Sequence, residues 1–148
     1  MGIEKRGHYQ LITKDVNGEE LVGVMRDNAL TFVTKPEPNE QPRMTTFQFI
    51  DYGPYWAIKT FNESEPAYLE GDQDRRVHST QSGVRDATKW EEIPDGDNGA
   101  RFRHDTNTPG VRPVITPDPA HSYAAFAKSL DEGNKHQLII LRKVQPPA

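Results

Sequence analysis

"GHYQLI" at residues 7–12, "GPYWAI" at 53–58 and "GARFRH" at 99–104 each lead a glycine into a short run containing an aromatic residue. Gly7, Gly53 and Gly99 stand 46 residues apart in both intervals. A second phase agrees with the first: Phe47, Trp90 and Leu138 are each followed three residues later by an aliphatic side chain, Ile50, Ile93 and Leu141. Agreement at both ends of the period makes three units, 7–52, 53–98 and 99–144, the frame for every other reading.

Within that frame the apolar residues alternate or run together over four to nine positions. The segments are "HYQLI", "EELVGVM", "ALTFVT", "TTFQFI", "YWAIKTF", "AYLE", "ARFRH", "RPVIT" and "HQLIILRKV". Twelve prolines and eleven glycines lie between and around them, and short strands separated by turn residues predict an all-β sandwich or barrel. "SYAAFAKSL" (122–130) reads either as a helix, through Tyr123, Phe126 and Leu130, or as strand and loop.

Three units of this length, each with room for four strands, resemble the β-trefoil over essentially the whole chain as one domain. That resemblance implies a closed six-stranded barrel capped by three hairpins, which leaves few strand edges exposed. The expected core is Tyr9, Leu11, Val22, Phe32, Phe47, Phe49, Trp56, Ile58, Leu69, Trp90, Ile93, Phe102, Val114, Phe126, Leu138 and Ile140.

Composition narrows the function. A chain of 148 residues can bury a sizeable core, and with no cysteine it has no disulfide framework, thiol nucleophile or thiolate zinc site. The net charge of −4 lacks the basic footprint of a nucleic-acid binder, and no apolar run approaches the ~20 residues that span a bilayer. "MGIEKRGHYQLI" has no apolar leader core, so a cytoplasmic location is expected, with secretion left open.

The chemical motifs are sparse. His8, His78, His104, His121 and His136 show no i, i+4 pairing. "DGDNG" (95–99) begins like a calcium loop, but Thr106 stands where the bidentate glutamate belongs. No serine sits in a G-x-S-x-G elbow and no glycine-rich phosphate cradle occurs. We therefore expect no enzyme activity, no metal and no cofactor. "NES" (62–64) is a formal glycosylation acceptor. The Q-x-W signature of ricin-type sugar-binding trefoils is missing, the corresponding strands reading "FQF", "KWE" and "QLI", so Trp90 is expected in the core.

What remains are basic residues at loops. In "VMRDNAL" Arg26 is the one cation between two strands, with Met25 before it, Asp27 after it and Asn28 able to brace the turn. In the second unit "GDQDRRVHS" carries Arg75 and Arg76 behind Asp72 and Asp74, which could pair with them. In the third, Lys128 precedes the loop "SLDEGNK".

The cysteine-free length, the "G-x-Y-x-[LI]" start at Gly7 and the hydrophobic C-terminal strand resemble the mushroom β-trefoil serine protease inhibitors of the cospin and cnispin type, related to the mycocypins. The resemblance implies a monomer that inserts a basic loop residue into the carboxylate-based pocket of a trypsin-like protease. Arg26 is then the first candidate bait, with Met25 in a neighbouring apolar subsite and Asp27 after the scissile bond. Lys128 is the second candidate, and Arg75 and Arg76 are the third. A carbohydrate-binding trefoil and an inhibitor of papain-like proteases are the competing readings.

Overall fold

The computed structural model describes residues 2–96, 99–105 and 112–147. No helix among the described residues is long and apolar enough to cross a membrane.

Four strands lie in the first unit: β1 (Gly7–Lys14), β2 (Glu20–Arg26), β3 (Ala29–Val33) and β4 (Phe47–Tyr52). The second holds β5 (Tyr55–Thr60), β6 (Ala67–Glu70), β7 (His78–Gln81) and β8 (Trp90–Pro94), and the third β9 (Ala100–His104), β10 (Val114–Asp118), β11 (Ala124–Lys128) and β12 (Ile140–Lys143).

Antiparallel pairing runs from β1 to β4, β5, β8 and β9 in turn. Between β9 and the start of β12 the link is a mutual pair, in which Ala100 N–H donates to the Ile139 carbonyl (3.0 Å) and Ile139 N–H to that of Ala100 (2.8 Å). β12 then returns to β1, with Leu11 opposite Leu141. The six strands therefore form a closed ring. The other six form the hairpins β2–β3, β6–β7 and β10–β11, joined to one another at Ala29 and His78, Ala124 and Thr31, and Arg76 and Phe126.

Tyr9, Phe49, Trp56 and Phe102, from four of the ring strands, pack on one another. Phe49 meets Tyr9 and Trp56 edge-on at 5.7 and 6.0 Å and Phe102 at 5.5 Å between ring centroids, a geometry that suits the ring quadrupoles. Trp90 is fully buried and its indole N–H donates to the Leu69 carbonyl. It is core, and no sugar platform.

Several expected core positions differ. Val22, Trp56, Ile93, Phe126 and Leu138 are half-buried and Ile140 is exposed, whereas Ile139 is buried. The last strand is thus one residue out of the expected phase, which exchanges its inward and outward faces. The cause is the 3-10 turn Lys135–Gln137 and the Ala100–Ile139 pair, which set the chain's entry into β12. The segment 122–130 is strand β11 followed by loop, not helix. β7, "HSTQ", carries no apolar pattern and owes its strand form to pairing with β6 and β3.

Candidate functional site

The β2–β3 connection within "VMRDNAL" is a two-residue turn. Arg26 is the last residue of β2, opposite Ala29, and only Asp27 and Asn28 make the turn, at φ of 51° and 62°. Positive φ at both central residues is the type I′ geometry, whose twist matches that of the flanking strands. Met25 is buried and its N–H donates to the Met44 carbonyl, so it is core and not a side chain free to fill a partner's subsite. Asn28 braces through its side chain, accepting from Asn62.

Arg26 is held from the long β3–β4 connection. Its Nε lies 2.6 Å from Glu40 Oε2 and its Nη2 2.9 Å from Oε1, while Glu37 N–H donates to the same Oε1. Arg26 keeps 39% of its side chain exposed but Glu40 only 9%. Hydrogen bonding to Arg26, helped by Glu37 N–H, outweighs desolvation and holds the Glu40 carboxyl below its ordinary value; the same pair raises Arg26.

The Arg75 and Arg76 segment is part of the hairpin framework. The Arg75 carbonyl accepts from Ala127 N–H, and Arg76 donates to Leu30 O and Thr31 Oγ1 with its guanidinium 5.7 Å from the Phe126 ring centre. Arg76 is therefore engaged with β3 and not with Asp72 or Asp74, as its sequence neighbours suggested. Arg75 is exposed, but its carbonyl is committed.

Lys128 ends β11, opposite Val114. Its side chain is 43% exposed, with Nζ 3.6 Å from Asp118 Oδ2 and 5.6 Å from the Phe126 ring centre. Burial alone would raise the Asp118 carboxyl, but hydrogen bonds from His121 and Ala120 N–H, with the Lys128 charge, hold it below its ordinary value.

Beyond Lys128 the chain enters a loop whose outer face is exposed at Ser129 and at Asp131, Glu132 and Gly133. Two buried side chains grip its backbone from behind. Gln137 donates from Nε2 to Ser129 O (2.9 Å) and accepts at Oε1 from Asp131 N–H (3.0 Å). Arg101 donates to Glu132 O (3.0 Å) and more loosely to Asn134 O (3.4 Å). These two residues had no recognisable signal, because a buried glutamine or arginine in a strand-rich sequence looks like any other polar position.

Beside this loop lies a cleft of about 540 Å³ lined by Asp15, Asp95, Glu132, Lys135, His136 and others, with no Phe, Tyr or Trp among them. Asp97 and Asn98 of the "DGDNG" stretch, and Thr106, lie outside the described residues.

No protein-family model matches the chain, and no curated protein matches it in sequence. Among solved structures it is similar to the crystal structure of Cry35Ab1, with a TM-score of 0.71 at 14% identity, covering 99% of this chain and 38% of the other. The chain thus spans well under half of that protein's length, and at this identity the likeness establishes one thing, an all-β fold shared over the chain.

Proposed function

We propose that the closed ring with its three hairpins is a β-trefoil, and that the chain is a reversible inhibitor of trypsin-like serine proteases that docks the loop after β11 as a substrate would. The observation that carries the reading is the fixing of an exposed loop by buried Gln137 and Arg101 directly beside a partly exposed lysine. A loop already held in place loses little conformational freedom on docking, and this cost often decides affinity. The lysine supplies the charge that a carboxylate-based pocket requires.

Among the basic candidates Lys128 moves to first place. Its contact with Asp118 is a single one at 3.6 Å, whereas Arg26 would have to leave two hydrogen bonds of 2.6 and 2.9 Å to Glu40. The type I′ turn after Arg26 is also tightly folded, and proteases bind chains in extended form, as sheets accept an added strand.

Titration of trypsin with the wild-type protein, Lys128→Ala and Arg26→Ala tests this. Wild type inhibits, Lys128→Ala weakens inhibition by about 30-fold or more, and Arg26→Ala retains it while folded. Absence of trypsin inhibition by wild type overturns the proposal. Loss in Arg26→Ala alone returns the bait role to Arg26.

A further inference from the structure

The hydrogen bonds around Gln137 have a register. They fall on Ser129 O and Asp131 N–H, on either side of Leu130. Among the described residues Leu130's own N–H and C=O have no hydrogen-bond partner, and its half-buried side chain is not part of the hydrophobic core. Ser129 to Asp131 lies outside any helix, strand or turn.

The orientation of the Gln137 carboxamide follows from its neighbours. Thr116 Oγ1 donates to Val114 O and accepts from Gln137 Nε2. A flipped amide would set oxygen against Ser129 O and nitrogen against Asp131 N–H, two pairs of like groups. Gln137 itself is only 1% exposed, so its grip is shielded from competing water.

Lys128 differs on this point. Ala127 donates its N–H to Arg75 O and accepts at its carbonyl from Asp74 N–H. By the alternation of an antiparallel ladder, the backbone groups of Lys128 then face Val114 in β10. A protease must reach the backbone of the residue in its primary pocket, since the carbonyl oxygen enters the oxyanion hole. Lys128 meets that demand after the last ladder pair opens; Leu130, outside any strand, has no ladder pair to open.

We infer that the preformed reactive bond of this loop is Leu130–Asp131, and that the loop also takes serine proteases whose primary pocket is apolar, with Leu130 as the residue that fills it. This rests on the reading of the chain as a substrate-like inhibitor. The protease serine Oγ attacks the Leu130 carbonyl carbon and forms an ester; the Leu130–Asp131 C–N bond breaks, and the Asp131 nitrogen receives the proton that the serine gave to the protease histidine. The new amine stays hydrogen-bonded to Gln137 Oε1, beside the ester. It can attack the ester, reform the peptide bond and return the proton by the same path, so cleavage reverses faster than the fragments part. Gln137 is the positioning residue of this cycle.

Chymotrypsin and trypsin are titrated in parallel with wild type, Leu130→Ala, Leu130→Lys, Lys128→Ala and Gln137→Ala, each checked for a folded, buried Trp90 by fluorescence. Wild type inhibits chymotrypsin; Leu130→Ala weakens this on the order of 100-fold. Leu130→Lys moves the preference to trypsin, and Lys128→Ala leaves chymotrypsin inhibition within a few-fold. Gln137→Ala turns inhibition temporary, with a peptide cut after Leu130 accumulating by mass spectrometry; should that variant unfold, the Leu130→Lys exchange carries the test. Trypsin inhibition lost in Lys128→Ala with chymotrypsin untouched by wild type overturns this inference and leaves the inhibitor reading standing. Chymotrypsin inhibition undiminished in Leu130→Ala also overturns the assignment. Inhibition of neither enzyme overturns both.

Discussion

Arg26 and Glu40 are fourteen positions apart and meet through two hydrogen bonds, so what looks like a lone surface cation is the lid on a nearly buried carboxylate. Removing the arginine leaves Glu40 short of partners. Arg26→Ala is therefore expected to lower stability by about 1–3 kcal/mol in urea unfolding, less than breaking a fully buried pair would cost, because one side of the guanidinium faces water. The pH dependence has a definite sign. Hydrogen bonding from Arg26 lowers the folded Glu40 value below the unfolded one, so its contribution is present above roughly pH 4.3 and is lost as pH falls through the lower folded value. Glu40→Gln is expected to flatten that acid limb of the stability profile, measured by urea midpoints from acid to neutral pH. An unchanged limb would show that the pair does not couple to folding.

At the scale of elements, loops and strands took their shape from partners outside their own segments. The loop after β11 is held by Arg101, on β9, and by Gln137, beyond the loop itself. Arg101→Met, which keeps length and bulk but removes the donors, is expected to speed hydrogen exchange at amides 131–136 by about tenfold, with little change in the protection of β1 or β5. Uniform acceleration across the chain would mean that Arg101 supports the whole fold and not this loop. β12 shows how one residue of phase changes a face: "HQLIILRKV" alternates equally well in two registers, and the Ala100–Ile139 pair selects the one that buries Ile139. β7, with no apolar rhythm, is a strand because β6 and β3 flank it.

For the molecule as a whole, closure of the ring depends on the narrow seam between β9 and β12. Gly99 enters that seam at φ 110°, and a Cβ there would lie 2.6 Å from the Ile139 carbonyl oxygen. The backbone itself would have to move. Gly99→Ala is expected to cost about 2–4 kcal/mol, read as a lowered urea midpoint with Trp90 fluorescence; a change under about 0.5 kcal/mol would show that the seam yields easily. Gly53 also has positive φ, but a Cβ added there would meet nothing within 4 Å, so its replacement would carry only the conformational part of such a cost.

The 46-residue spacing, the all-β class and the burial of Trp90 were legible in the chain itself, since a glycine opening into an aromatic strand and a period-two apolar pattern are local properties repeated along it. The fate of the basic residues was not. Which cation stays available depends on Glu40 reaching Arg26, on Leu30 and Thr31 receiving Arg76, and on Asp118 standing only loosely by Lys128. Those meetings bring together groups from separate elements, and a charged residue announces nothing in sequence about the partner it will find. Tertiary structure alone decided them, because hydrogen bonds and ion pairs act over a few ångströms, and only folding brings these groups that close.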